Sequence, residues 1–129
     1  MAENSKPAAD TQLTGVVPAD CAAVLVYTTF PDDASARSAG RILVEQQLAG
    51  CVNILPGMVS MYVWKGALEE ANECVLIAKT TSERVQDCMR AILAAHPYET
   101  PAVLGIPVLA GAKGYLDWIR AGTTPMAGV

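Results

Sequence analysis

The sequence has few of the residues from which catalytic and metal centres are usually built. Its 129 residues include one histidine and one phenylalanine, and only 17% of them are charged. The nine Lys and Arg residues form no run, and the formal net charge is −4. Nucleic acids and anionic membrane surfaces attract clustered cations, so the composition does not favour either as a partner.

The four cysteines also lack the spacing of a known site. Cys21, Cys51, Cys74 and Cys88 form no Cys-x-x-Cys pair and have no histidine close by, so neither a zinc module nor a disulfide framework is indicated. The chain has no basic start followed by an apolar segment and no apolar run of membrane-spanning length. We therefore expect a cytoplasmic protein without a membrane partner.

Motifs of common enzyme classes are absent as well. The sequence contains no phosphate-binding glycine loop, no His-Glu-x-x-His and no Gly-x-Ser-x-Gly. No pair of nucleophile and base can be named around a single histidine. We therefore expect a protein that is not an enzyme.

The residues that are present predict one α+β domain. The hydrophobic fraction of 52% is high for 129 residues, which indicates that the domain buries surface against copies of itself. Residues 1–20 show no periodicity and are predicted to form a flexible tail, the domain spans 21–123, and residues 124–129 are predicted to fray. Apolar periodicity, caps and breakers predict the order β-α-β-β-α-β-α.

Several local signals set the predicted boundaries. Asp32 is a predicted N-cap for the first helix, and Gly50 is predicted to close that helix. Thr80 and Glu83 match a capping box for the second helix, which Pro97 ends near residue 95.

The middle of the chain predicts a long hairpin. Two strands of about 13 residues meet at Lys65-Gly66, and Pro56-Gly57 predicts a bulge in the first of them. Arms of this length cannot be covered by their own domain. Because Tyr and Trp are favoured at interfaces, we predict that Tyr62 and Trp64 contact a second subunit.

The predicted order corresponds to a ferredoxin-like fold, βαββαβ with an extra C-terminal helix. Such a sheet carries two helices on one face and leaves the other bare. A closed homo-oligomer would cover the bare face.

Six short stretches, in this order and at close spacing, resemble the CutA divalent-cation tolerance family over roughly residues 23–120. They are TTFPD (28–32), LAGCVNILPG (48–57), SMYVWKGALEE (60–70), LIAKTT (76–81), HPYETP (96–101) and YLDWI (115–119). The resemblance implies a compact homotrimer similar to PII signalling proteins, with the hairpin wrapped around a neighbour. It also implies a role in tolerance to copper and other divalent cations.

The resemblance implies copper ligands at three positions, of which this sequence keeps one. A cysteine and two consecutive histidines are proposed in a bacterial branch, and here Thr28 and Ala95 replace the cysteine and the first histidine. His96 remains. A hypothetical divalent-cation site would therefore combine His96 and Glu99 from several subunits. The alternative is a purely structural role, in which HPYETP forms a rigid corner between a helix and a strand.

Three functions stay open on the sequence. The first is a trimeric metal-response protein, with copper or another divalent cation as the candidate ion. The second is a PII-like module that binds a small anion in intersubunit clefts lined by Lys79, Tyr98 and Glu99. The third is a scaffold for another protein.

Overall fold

A computed structural model describes residues 13–15 and 21–124 as a four-stranded antiparallel sheet with three helices. The elements are β1 (Ala23–Phe30), α1 (Asp33–Glu45), β2 (Cys51–Trp64), β3 (Ala67–Thr80), α2 (Val85–Ala95), β4 (Val103–Val108) and α3 (Lys113–Thr123). Their order is the predicted one. Most of the predicted tail 1–20 and of the predicted frayed end 124–129 lies outside the described residues.

The sheet has the strand order β2-β3-β1-β4, so β1 is central and β2 and β4 form the two edges. β1 pairs antiparallel with β3 and with β4, and β2 pairs antiparallel with β3. This order, with α1 and α2 as crossovers, confirms the predicted ferredoxin-like fold. Pro107 lies in the edge strand β4, which is where proline is tolerated in a sheet.

The core forms where α1 and α2 pack on the sheet and on each other. Val24, Val26 and Phe30 from β1 and Leu76 from β3 are fully buried, and Leu43 of α1 lies among them. Each such side chain contributes about 1.5–3 kcal/mol through burial. Asp32 caps α1 as predicted, because its carboxylate accepts the Ser35 N–H at 2.8 Å.

Two predicted boundaries are wrong. α1 ends at Glu45, since Gln47 takes a left-handed conformation (φ 60°), and Gly50 does not close the helix. A Cβ at Gly50 would instead lie 3.1 Å from the backbone of Ile119, so this glycine permits the close approach of α3.

The predicted capping box is wrong as well. α2 begins only at Val85, and no side chain caps it. The Thr80 hydroxyl donates to the Leu48 carbonyl at 2.7 Å, which ties the end of β3 to the loop after α1. Because the Thr80 hydroxyl bonds to the Leu48 carbonyl, it does not form the capping box.

The β2–β3 hairpin projects beyond the rest of the sheet. Each strand has 14 residues, yet β1 pairs only with residues 74–80 of β3. Lys65 (φ 51°) and Gly66 (φ 82°) form the tight turn, in which both central residues need positive φ. We call residues 58–73 the hairpin arm.

The predicted bulge at Pro56-Gly57 decides which side chains share a face of this arm. Leu55 pairs with Val75 and Met58 with Glu73, so β2 has one residue more than β3 between these pairs. An extra residue shifts the alternation of side chains by one. Beyond the bulge, one face of the arm carries the even-numbered residues of β2, and we call it the inner face. It comprises Met58, Ser60, Tyr62, Trp64, Ala67, Glu69, Ala71 and Glu73.

The opposite side of the arm is the outer face. Its apolar members are strongly exposed, and its polar members are Glu70 and Asn72. The apolar members are Val59, Met61, Val63 and Leu68, at 52–72% exposure.

Candidate functional site

The corner at residues 96–101 buries the single histidine. His96 follows the last residue of α2 and is only 1% exposed. Its Nδ1 accepts the N–H of Tyr98 at 3.2 Å, and its Nε2 lies 2.7 Å from the carbonyl oxygen of Thr29. Because a carbonyl can only accept, Nε2 carries the proton and the ring is held as the neutral tautomer.

Aromatic contacts fix the same ring from both sides. His96 stacks on Phe30 with ring centroids 4.2 Å apart, and Tyr98 lies tilted against it at 4.9 Å. A metal ion on His96 would have to displace one of the two hydrogen bonds described above. The imidazole therefore joins the end of α2 to β1 within one subunit. A role of His96 as a metal ligand stays a prediction.

A buried carboxylate that the sequence analysis did not single out connects this corner to the hairpin arm. Glu73 is 4% exposed and accepts two hydroxyl donors, Tyr98 Oη–H and Ser60 Oγ–H, both at 2.7 Å. Burial, reinforced by the hydrogen bond to Glu73, raises the pKa of Tyr98 above its usual value. The sequence carries one indication of this burial, because Glu73 shares one side of β3 with the apolar residues Val75 and Ile77.

A groove of ≈ 420 Å³ separates the inner face of the arm from the corner. It brings together three residues that the sequence analysis singled out for different roles: Tyr62, Trp64 and Glu99. The remaining lining residues are Val63, Thr100, Pro101 and Ala102. Tyr62 and Trp64 are half-buried in one subunit, and their contact with a second subunit stays a prediction.

Lys79 does not share this groove. It pairs with Leu25 and Cys51 near the other end of β3, six residues or roughly 20 Å from Glu73. Its Nζ donates to Tyr115 Oη at 2.9 Å, and this hydrogen bond raises the pKa of Lys79. Within one subunit Lys79 is therefore far from the HPYETP corner, and the predicted cleft between subunits stays a prediction.

A second groove, of ≈ 270 Å³, lies between the turn before α2 and the end of α3. Arg84 and Arg120 line it, and Thr81, Thr123 and Thr124 complete it with Glu83. Arg120 Nη1 lies 3.6 Å from the Glu83 carboxylate, which neutralises part of its charge. The hydroxyls of Thr123 and Thr124 already donate to backbone carbonyls of α3. A guanidinium has five N–H donors, so Arg84 and Arg120 can still donate to an anion.

No group of three or more His, Cys, Asp and Glu side chains that could hold a metal ion occurs within residues 13–15 and 21–124. Thr28, at the position where the family resemblance implies a cysteine ligand, is fully buried. Its hydroxyl has no hydrogen-bond partner in the described part of the chain.

Each helix that the structure describes is too short or too polar to cross a membrane. Large apolar side chains are also exposed outside the arm, among them residues of β4 and α3. Leu104 and Ile106 of the edge strand β4 are 57% and 45% exposed, and Trp118 of α3 is 54% exposed. These surfaces are unusual for a monomer and typical of an interaction surface.

Comparison with known proteins gives one consistent family. The sequence profile of the CutA1 divalent ion tolerance protein family matches residues 24–122. The divalent-cation tolerance protein CutA of Thermus thermophilus is 39% identical over 99 residues, which cover 77% of this chain and 96% of the relative.

Solved structures agree with the sequence comparison. CutA from Xylella fastidiosa superposes with a TM-score of 0.77 at 37% identity, covering 79% of this chain and 98% of the other. A protein from Archaeoglobus fulgidus, described as a periplasmic divalent cation tolerance protein CutA, gives 0.76 at 36% identity, covering 79% and 99%.

Proposed function

Because the chain belongs to the CutA1 divalent ion tolerance family, we propose that it is a non-enzymatic homotrimer that takes part in the response to copper or another divalent cation. The observation that carries the assembly is the outer face of the hairpin arm, which exposes four large apolar side chains beyond the end of the sheet. A second copy would remove this surface from water. The open edges β2 and β4 offer further pairing sites.

A binding role suits the corner better than catalysis does. The only imidazole has both nitrogens engaged in hydrogen bonds within the subunit, so it is poorly placed to accept a substrate proton. Glu99 is partly exposed and can present carboxylate oxygens. The metal contact that we propose is weak and is assembled from Glu99 of several subunits, with His96 as a further candidate ligand.

Copper titration of the purified, tag-free protein by calorimetry tests the metal contact. Glu99→Gln should weaken binding by about tenfold or more, since it removes an anionic ligand. Glu70→Gln, on the outer face, is the matched control. Equal affinity of the wild type and Glu99→Gln would overturn this site, and a loss of affinity confined to His96→Gln would identify the histidine as the ligand.

The cellular location that we propose is the cytoplasm. All four cysteines are free thiols in the structure, and Cys74 and Cys88 are buried in the core. Burial raises the pKa of the Cys88 thiol to about 12, which suits a packed, unreactive side chain. The Archaeoglobus fulgidus relative is described as periplasmic, so fractionation of the native host is the decisive measurement.

A PII-like role in binding a small anion is the second candidate. The groove lined by Arg84 and Arg120 favours it, because two guanidinium groups, each with five N–H donors, belong to the same groove. Inorganic pyrophosphate should then raise the melting temperature, and Arg120→Gln should abolish that rise. A rise that persists in Arg120→Gln would exclude this groove as the site.

A further inference from the structure

The groove between the inner face and the corner has the construction of a small-molecule site. Its volume of ≈ 420 Å³ falls in the range typical of ligand pockets, roughly 300–1,000 Å³. Its lining is mainly apolar and aromatic, with Tyr62 and Trp64 on one wall and Pro101 and Ala102 on the other. Such walls bury the apolar body of a ligand and leave a few polar groups to select its charge.

The charge that lines the groove is negative, and the ammonium of Lys65 lies beside the groove, over the Trp64 ring. Glu99 is the only charged residue that lines it in the described part of the chain, and Glu69 lies opposite Tyr62 on the inner face. A small anion would meet a carboxylate and no lining cation. A divalent metal ion would meet one lining carboxylate and apolar walls, which cannot replace its hydration shell.

Trp64 shows that a cation can lie over this wall. The ammonium of Lys65 lies 5.9 Å from the centre of the indole ring, which is the distance of a cation–π contact. The indole Nε1–H is buried and has no hydrogen-bond partner among the described residues. A ligand that carries a hydroxyl or carbonyl oxygen beside its cationic group could supply that acceptor.

We propose that this groove binds a small organic cation with an apolar body, of the quaternary ammonium or alkylated amine class. The aromatic rings of Tyr62 and Trp64 face the cation, and the Glu99 carboxylate balances its charge. The groove is present in a single subunit, so the inference goes beyond the proposed metal response and does not depend on it.

Choline and its uncharged isostere 3,3-dimethyl-1-butanol are the probes that isolate the charge. Fluorescence is read in a metal-stripped Trp118→Phe protein, so that Trp64 is the only tryptophan, and sodium chloride at matched concentration is the ionic control. Choline should produce a saturable change in Trp64 emission. The isostere should bind about tenfold more weakly, because it lacks the cationic contribution.

Glu99→Gln should weaken choline by about tenfold, whereas Glu70→Gln on the outer face should leave its affinity unchanged. Circular dichroism spectra that match the parent protein establish that both variants fold. Equal binding of choline and the isostere, or no saturable response to choline, would overturn the proposal. An unchanged affinity in Glu99→Gln would also overturn it, and none of these outcomes bears on copper binding.

Discussion

The inner and outer faces of the hairpin arm are built from alternating residues of the same two strands, yet different surroundings satisfy them. On the inner face, Glu73 is buried under hydrogen bonds from Ser60 and Tyr98, and Trp64 is half-buried over the groove. On the outer face, Met61 and Leu68 are 66% and 72% exposed, with no comparable cover from the described residues.

This difference in burial gives the two faces of one hairpin different roles. The inner face holds the arm to its own subunit through a buried carboxylate, whose hydrogen bonds are directional and costly to lose. The outer face offers only apolar area, which is non-directional and suits contact with a second chain. Substitutions on the two faces test this division.

Replacing Glu73 with alanine should destabilise the protein most. The change leaves the buried hydroxyl of Tyr98 and the half-buried hydroxyl of Ser60 without their acceptor, at a cost of about 3 kcal/mol. Urea unfolding at fixed protein concentration measures it. Glu70→Ala is the control, because Glu70 is exposed on the outer face. It should change the free energy of unfolding by about 0.5 kcal/mol or less.

Replacing Met61 with aspartate should weaken the proposed trimer. A charge would replace an apolar contact worth about 2 kcal/mol per subunit, and sedimentation velocity should show smaller species. Trp64→Asp is the comparison variant, and it should have the smaller effect on assembly. If Trp64→Asp dissociates the protein more strongly, the interface lies on the inner face, as predicted for Tyr62 and Trp64 from the sequence.

The free energy of unfolding at alkaline pH should depend on how well the Tyr98 hydroxyl, which bonds to Glu73 of the inner face, is shielded from water. Burial and the Glu73 hydrogen bond raise the pKa of Tyr98 above its ordinary value of 10.0. As pH rises, Tyr98 therefore loses its hydroxyl proton in the unfolded chain before it does so in the folded chain. The contribution of Tyr98 to the free energy of unfolding is complete below pH 10 and declines as pH rises through the pKa of the folded state. The expected slope is at most about 1.4 kcal/mol per pH unit.

Tyr98→Phe removes this titration, and its unfolding free energy should fall less steeply above pH 10 than that of the wild type. The buried Cys88 thiol titrates in an overlapping range but is present in both proteins, so the difference in slope isolates Tyr98. Parallel slopes would mean that the Tyr98 hydroxyl is not shielded as the structure indicates.

Replacing Gly57 with alanine should have the smallest effect of the series. An added Cβ would meet nothing within 4 Å, so only the left-handed conformation (φ 79°) opposes it, at about 1 kcal/mol. Thermal unfolding measures the loss. A much larger loss, accompanied by exposure of Trp64 in its fluorescence spectrum, would show that the bulge itself holds the two faces apart.

The element order was predictable because each local signal has a local cause. Asp32 caps α1 through its own backbone neighbours, and Lys65-Gly66 turns because both residues take positive φ. The failures have tertiary causes. Thr80 bonds to Leu48 rather than capping α2, and Gly50 serves the approach of α3 rather than the end of α1.

The candidate site was predictable only in part. The HPYETP sequence identified the corner, and Tyr62, Trp64 and Glu99 do meet there in the folded chain. The alternation along β3 indicates that Glu73 is buried, but its two donors, Ser60 and Tyr98, could not be predicted because they lie far from it along the chain. Lys79, which was predicted to share an intersubunit cleft with Tyr98 and Glu99, lies near the far end of β3 within one subunit.

By itself, the sequence determined the ferredoxin-like order, the length of the hairpin and the presence of a bulge, because periodicity, caps and turn residues act over a few neighbours. The tertiary structure decided which face each hairpin residue occupies. One extra residue at the bulge exchanges the two faces of β2, and only the pairing of Met58 with Glu73 shows that the exchange has occurred. The same pairing places Tyr62 and Trp64 over the groove and leaves Met61 exposed.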